Sequence, residues 1–158
     1  MKLSDFLVPE AFVPQLQSTD RDGAIGELAS ALVVGGAAPV TLRDELVAQI
    51  IEREEIGSTG FGRGVAVPHV KHKNVVKMCA TIGVSQKGVD FNALDKAPVY
   101  SIVLLLSPQD NPDEHLQAME NIFSHLQKDT FRRFLRQAST VEEITDLLHE
   151  ADSQQLQG

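Results

Sequence analysis

VYSIVLLL, residues 99 to 106, is an almost unbroken apolar segment in a chain of 158 residues. Such a run is typical of a strand in the middle of a sheet, because a central strand is covered on both faces. Helical patterns and further strand patterns alternate along the rest of the chain, and this alternation predicts an α/β domain. We therefore predict a central mixed β-sheet with helices packed on both faces. The length favours a single domain over residues 1–158, with a C-terminal tail that is frayed from about residue 152.

Other elements follow from the spacing of apolar residues. Between Val76 and Val84 the even positions are apolar, and this alternation predicts a strand with one buried face. Two amphipathic helices are predicted before the strands and three after them. These helices are predicted to begin at five polar residues: Thr19, Thr41, Asn111, Asp129 and Thr140.

The composition limits the class of protein. The net charge of −8 disfavours nucleic-acid binding, because an acidic surface repels phosphate backbones. No segment is long and apolar enough to cross a membrane. Cys79 is the single cysteine, so no internal disulfide can form, and this agrees with a reducing compartment. We expect a cytoplasmic protein without membrane insertion.

Three of the five histidines can be assigned to a helix face. The apolar stripe of one helix consists of Leu116, Met119, Phe123 and Leu126. His115 falls inside this stripe and His125 falls on the opposite face. His125 and His149 are therefore predicted to lie at the surface. His115 is either a core histidine bonded to a carbonyl or part of a ligand site. Its place just after the central strand favours the site, because open α/β sheets bind ligands beyond the carboxyl ends of their strands.

A glycine-rich stretch, GSTGFGRGVAVPH, covers residues 57–69 and ends on His69. A glycine cluster most often marks a turn, but it also lets backbone N–H groups approach a ligand closely. The stretch matches neither the GxxxxGK[ST] phosphate loop nor the dinucleotide fingerprint nor a GxSxG serine elbow. Pro68 stiffens the backbone directly before His69.

Two further polar features each allow more than one interpretation. Arg53 lies in line with the apolar residues Leu46 and Ile50, so it either snorkels at the helix end or reaches a pocket to pair with an anion. His69 and His72 form an HxxH pair, which raises the possibility of zinc. A zinc site needs at least a third ligand at suitable spacing, and none is evident, so we expect no metal.

Two stretches resemble a known family. REEIGSTGFGRGVAVPH (residues 53–69) and NPDEHLQAMENIFSHL (residues 111–126) resemble the enzyme IIA domains of the fructose/mannitol class. These domains belong to the bacterial phosphoenolpyruvate-dependent phosphotransferase system. The resemblance covers nearly the whole chain, and its wording is most similar to the standalone nitrogen-regulatory branch.

The resemblance implies a phosphocarrier without a cofactor. It implies that His69 accepts a phosphoryl group from an HPr-like phosphohistidine carrier, that His115 and Arg53 belong to the active site, and that an EIIB or regulatory target proteins lie downstream. Phe61 and Arg63 depart from the common pattern, which bears on partner choice. Neutral imidazole suits this role, because it keeps a nitrogen lone pair. Suitable donors to the phosphate lie in the glycine loop: Ser58, Thr59, Gly60, Gly62 and Gly64. A sugar-uptake EIIA, an anion-sensing module without phosphoryl transfer and a zinc hydrolase remain as alternatives.

Overall fold

A computed structural model of the chain describes the backbone of residues 1–157 and the side chains of residues 1–154. The described residues form a mixed four-stranded sheet of β1 (Val65–Ala66), β2 (His69–His72), β3 (Cys79–Val89) and β4 (Val99–Pro108). Strands β1 and β2 pair in parallel with one edge of β4, and β3 pairs antiparallel with its other edge. The apolar segment of residues 99–106 is therefore the central strand, and the predicted mixed sheet is confirmed.

Helices cover both faces of the sheet, also as predicted. One face packs against α1 (Arg21–Val34) and α2 (Arg43–Ile56), and the other packs against α3 (Pro112–Leu126), α4 (Asp129–Gln137) and α5 (Val141–Gln157). The side chains of β4 alternate between the two cores. Ile102, Leu104 and Leu106 face α1 and α2, whereas Val103 and Leu105 face the other three helices.

The strand predicted from Val76 differs from the observed β3. Val76 is 93% exposed and lies in the turn after β2, and β3 begins only at Cys79. Both faces of the strand are buried, since Cys79 and Thr81 are covered as well as the even positions. The outer edge of β3 is shielded too, because the N-terminal segment forms bridges with it at Ala80 and Gly83.

The helices begin within two residues of their predicted starts. Asp20 rather than Thr19 caps α1, and its carboxylate accepts the N–H of Gly23 at 2.7 Å. A single 3₁₀ turn, Val40–Leu42, precedes α2. Asn111 caps α3 as predicted, because its side chain accepts the N–H of Glu114. None of the described helices is long and apolar enough to span a bilayer.

Helix α5 is bound to the N-terminal segment of the chain. The buried carboxylate of Asp152 in α5 accepts the backbone N–H groups of Leu3 at 2.7 Å and Ser4 at 3.1 Å. The predicted frayed tail from about residue 152 falls largely beyond residue 154, outside the residues whose side chains are described.

Candidate functional site

Two imidazoles meet at the carboxyl end of the central strand. His69 is the first residue of β2 and lies beside Leu105 of β4, and His115 lies in the first turn of α3, which follows β4. The ring centroids are 5.5 Å apart, and the ring planes are inclined by 50°. His69 is half-buried and His115 is 8% exposed. The ring of His69 is therefore accessible from the surface, whereas His115 is almost completely covered by protein.

A backbone carbonyl determines the proton position on His69. Its Nδ1 atom lies 2.8 Å from the carbonyl oxygen of Val67. A carbonyl oxygen only accepts hydrogen bonds, so Nδ1 carries the proton and Nε2 keeps a free lone pair. Burial is the largest influence on the pKa of His69 and lowers it, whereas the hydrogen bond to Val67 acts in the opposite direction. Among the nearby charges, Arg53 and Lys71 lower this pKa and Glu54 raises it. The ring is neutral at neutral pH.

A buried serine holds the second ring. The Nδ1 atom of His115 lies 2.7 Å from the hydroxyl oxygen of Ser107, which is fully buried in β4. Burial lowers the pKa of His115 to about 4, with smaller contributions from the charge that His69 carries when it is protonated and from the charge of Lys71. His115 is therefore also neutral at neutral pH, and it is neither a remote core residue nor bonded to a carbonyl.

Arg53 does not lie in the buried stripe of its helix, contrary to the prediction. Arg53 is exposed, and its guanidinium donates to the carbonyl oxygen of Gly57 at 2.7 Å. Glu54 takes the buried position instead, because it follows Leu46 and Ile50 at intervals of four residues. The positive charge of Arg53 nevertheless lowers the pKa of His69.

The first half of the glycine loop is fixed by the buried Glu54. Its carboxylate accepts the N–H of Thr59 at 3.0 Å and the hydroxyl of Thr59 at 2.6 Å. The hydroxyl oxygen of Ser58 accepts the N–H of Gly60 at 3.0 Å. A side chain at Gly60 would collide with Ala93, since an added Cβ would lie 2.9 Å from its Cβ. The loop is a packed turn in which Thr59 already has its partners.

The second half of the loop is a left-handed turn into β1. Gly62 and Gly64 have φ angles of 113° and 76°, and Arg63 between them has 62°. An added Cβ at Gly64 would contact Tyr100. These glycines shape the turn, and their predicted role in holding phosphate, like that of Ser58, Thr59 and Gly60, stays a prediction.

His125 is buried, which contradicts its predicted surface position. It is 2% exposed, and its Nδ1 donates to the carbonyl oxygen of Asn121 at 2.9 Å. The apolar stripe that oriented the helix was misplaced, because Leu116 is 58% exposed and the buried face runs through Ala118 and Ile122. His149 is exposed, as predicted.

His72 is a structural residue of β2. It is 4% exposed, its Nδ1 accepts the N–H of Asn74, and its Nε2 lies 3.4 Å from a carboxylate oxygen of Glu45. Within the part of the chain that the structure describes, no three histidine, cysteine, aspartate or glutamate side chains are placed to hold a metal.

Three residues of the site were missed by sequence reasoning, although each carries a signal. Lys71 lies two residues after His69 in a strand, so the two side chains share a face. Ser107 directly follows the apolar run of β4, where side chains reach a site at the strand end. Glu54 continues the spacing of four residues in α2.

Comparison with known families places nearly the whole chain in one group. Residues 5–151 match the family model described as "Phosphoenolpyruvate-dependent sugar phosphotransferase system, EIIA 2". A nitrogen regulatory protein of Bradyrhizobium diazoefficiens is 30% identical, and the match covers 94% of this chain and 95% of that protein. A fructose-specific EIIA component of Haloferax volcanii is 31% identical over 82% of this chain and 83% of that protein. A fructose-specific EIIABC component of Bacillus subtilis is 26% identical over 96% of this chain, which spans only 24% of that longer protein.

Solved structures share the fold. The nitrogen regulatory protein IIA-Ntr of Neisseria meningitidis superimposes with a TM-score of 0.82 at 25% identity, over 92% of this chain and 98% of that one. The mannitol enzyme IIA of Escherichia coli, solved in complex with phosphorylated enzyme IIB, gives a TM-score of 0.74 at 21% identity, over 89% of this chain and 95% of that one.

Proposed function

The chain belongs to the phosphoenolpyruvate-dependent sugar phosphotransferase system EIIA 2 family, and we propose that it carries a phosphoryl group on Nε2 of His69. The observation that supports this assignment is the bond from Nδ1 of His69 to the carbonyl oxygen of Val67. That bond leaves Nε2 as the ring nitrogen with a free lone pair.

The transfer step balances without an added proton. The lone pair of His69 Nε2 attacks the phosphorus of a donor phosphohistidine and forms the new N–P bond. The donor's own N–P bond breaks, and its electron pair returns to the donor imidazole. The positive charge that develops on the His69 ring is stabilised at Nδ1 by the carbonyl of Val67. This protein is phosphorylated once per cycle and must then transfer the phosphoryl group to an acceptor.

His115 and Arg53 stabilise the charge on the transferring group. When the hydroxyl of Ser107 donates to Nδ1 of His115, the proton of the neutral ring lies on Nε2, which can donate to a phosphoryl oxygen. One N–H group of the Arg53 guanidinium donates to the carbonyl oxygen of Gly57, and the remaining N–H groups can bind the equatorial oxygens of the phosphoryl group. This arrangement supports a loose transition state by charge stabilisation and positioning.

We infer two classes of partner. The phosphoryl donor is a small HPr-like phosphohistidine carrier, as the family relationship implies. The acceptor is an EIIB or a regulatory target. Enzyme IIB is the partner in the E. coli complex of the mannitol enzyme. The near full-length similarity to a nitrogen regulatory protein favours a regulatory role, and sugar uptake is the second candidate.

The decisive experiment incubates the protein with a phosphorylated HPr-like carrier and detects acid-labile phosphate on this chain. Wild type is expected to be labelled on His69 Nε2, as shown by phosphorus–proton NMR correlations, and His69→Ala is expected to take no label. The matched control His149→Ala changes an exposed histidine and should be labelled like wild type. Label that persists on His69→Ala would overturn the assignment, and a folded wild-type protein that takes no label would favour the anion-sensing alternative.

Regulatory and uptake roles are separated by the next step. Phosphorylated protein is mixed with EIIB domains of the fructose and mannitol type. Rapid loss of phosphate to one of them indicates uptake, whereas a stable phosphoprotein indicates a regulatory state.

A further inference from the structure

Four arginines line one cavity away from the histidines. The cavity has a volume of about 490 Å³ and lies between the turn before β1, the start of β4 and helix α4. We call it the arginine pocket and define it by Arg63, Arg132, Arg133 and Arg136. These are four of the seven arginines of a chain whose net charge is −8. Four of the 14 lysine and arginine side chains are thus gathered in one concave place.

Most of this charge has no acidic partner. Arg132 is engaged, because it pairs with Asp129, which also lines the pocket, and donates to the carbonyl oxygen of Leu126 at 2.7 Å. Among the described residues, Arg63, Arg133 and Arg136 have no carboxylate within ion-pair distance. Like charges that are held together repel one another, and a bound anion would remove this repulsion.

The floor of the pocket is rigid. The guanidinium of Arg136 lies 3.5 Å from the centre of the Tyr100 ring, which is a close cation–π contact. Backbone of two glycines encloses the same ring: an added Cβ would lie 3.3 Å from it at Gly64 and 3.2 Å from it at Gly88. Tyr100 therefore places one guanidinium at the pocket before any ligand binds.

The arginine pocket is distinct from the histidine site. It contains Tyr100 and Ser101 at the start of β4, whereas His115 contacts Ser107 near the end of that strand. Six residues of extended strand span about 20 Å. Neither His69 nor His115 lines the pocket.

We propose that the arginine pocket binds a small phosphorylated molecule with at least two negative charges, as a second anion site. A cavity of this size suits a small ligand better than a flat protein partner. The planar fork of arginine matches phosphate oxygens, and a diphosphate group can reach several guanidinium groups at once. Binding at this site requires no phosphoryl transfer to His69, so the proposal goes beyond the proposed function.

The protein contains its own reporter for this site. Tyr100 is the only tyrosine, and the chain has no tryptophan, so intrinsic fluorescence arises from the floor of the pocket. Pyrophosphate and ADP are titrated into the wild-type protein and followed by tyrosine fluorescence and by calorimetry. Saturable binding at one site is expected, with a fluorescence change on saturation.

Two double variants test where the anion binds. Arg133→Gln with Arg136→Gln should weaken binding by at least about tenfold, because two charge-assisted contacts are lost. The control is Lys73→Gln with Lys77→Gln, which removes the same charge from exposed positions outside the pocket and should leave the affinity unchanged. His69→Ala should also bind normally. Phosphorylation of the Arg133/Arg136 variant at His69 should match wild type, so failure of this proposal and failure of the phosphocarrier role are separable.

Three results would overturn the proposal. One is the absence of saturable binding of either probe at millimolar concentration. Another is an equal loss of affinity in both double variants, which would indicate a general charge effect. The third is binding of an acidic polypeptide such as polyglutamate without binding of pyrophosphate, which would make the arginines a protein-docking surface.

Discussion

The imidazole of His115 and the hydroxyl of Ser107 form a buried pair, with Nδ1 and Oγ 2.7 Å apart. Ser107 is part of the sheet and His115 is part of a helix, so this bond links the helix to the strand at the candidate site. It orients the ring towards His69 and, in the proposed mechanism, leaves the Nε2 proton available to the phosphoryl group.

Ser107→Ala tests the importance of this orientation. The variant is expected to fold and to slow phosphorylation of His69 by roughly tenfold, which corresponds to one hydrogen bond of about 1.4 kcal/mol. The rate of label uptake from the donor carrier is the measurement, and nitrogen NMR of His115 should show a changed tautomer balance. Ser124→Ala is the control, because it changes an exposed serine of α3, the helix that carries His115. A wild-type rate in Ser107→Ala would show that the pair is only structural.

Acidification is expected to destabilise the protein through the two histidines. The pKa of His115 is lowered to about 4 and that of His69 is also lowered, so the unfolded chain binds more protons than the folded one below pH 6.5. Their contribution to stability is fully present above pH 6.5 and is lost as the pH falls towards about 4. Urea unfolding across this range should show the decline, and His115→Asn should show a shallower one.

An NMR titration gives the direct test of the same point. The Cε1 proton of His115 should titrate with a midpoint near 4, well below the ordinary histidine value. A midpoint of His115 at or above the ordinary histidine value would contradict the described environment.

His125→Ala is expected to affect stability rather than phosphoryl transfer. The substitution leaves a cavity beside Phe131, whose ring centroid is 5.4 Å away, and it removes the bond to Asn121. The expected cost is about 2–3 kcal/mol, measured as a lower unfolding midpoint in urea. His149→Ala, at an exposed position, should cost almost nothing. Nε2 of His125 has no hydrogen-bond partner among the described residues, so His125→Leu should cost less than His125→Ala. Equal midpoints for His125→Ala and wild type would contradict the burial of this ring.

Glu54→Ala should loosen the glycine loop. The carboxylate provides both partners of Thr59, and its loss removes two charge-assisted bonds of about 1.5–3 kcal/mol each. Hydrogen exchange at the Thr59 amide should accelerate by more than about tenfold. Glu52→Ala changes an exposed acid of the same helix and should leave this amide unaffected. Unchanged protection of Thr59 in Glu54→Ala would mean that other contacts fix the loop.

The sequence predicted the parts of the fold that depend on strong local patterns. The apolar run of residues 99–106 has no satisfactory place except the centre of the sheet, and the Asn111-Pro112 start of α3 has its own capping chemistry. The facing of α3 failed for a physical reason. Histidine occurs both in the core and at the surface, and Leu116 is large and apolar yet exposed. A prediction based on hydrophobicity alone therefore assigned the wrong face of α3 to the core.

The site was predictable in its two imidazoles but not in their support. His69 begins β2 beside Leu105, near the carboxyl end of β4, and His115 follows β4 in the first turn of α3, so both imidazoles lie at that end of the central strand. Arg53 and Glu54 are adjacent on a helix, and either could continue the buried stripe by spacing. A buried carboxylate is costly unless its oxygens are satisfied, and only the three-dimensional path of the loop places Thr59 against Glu54.

The gap between β1 and β2 has a chemical consequence. These two short strands lie along one edge of β4 and are separated by Val67 and Pro68. The interruption turns the oxygen of Val67 towards the ring two residues later. A small irregularity in an otherwise regular ladder thus selects one of the two tautomers of the imidazole. The ring nitrogen that can be phosphorylated would then be determined by the backbone rather than by any neighbouring side chain.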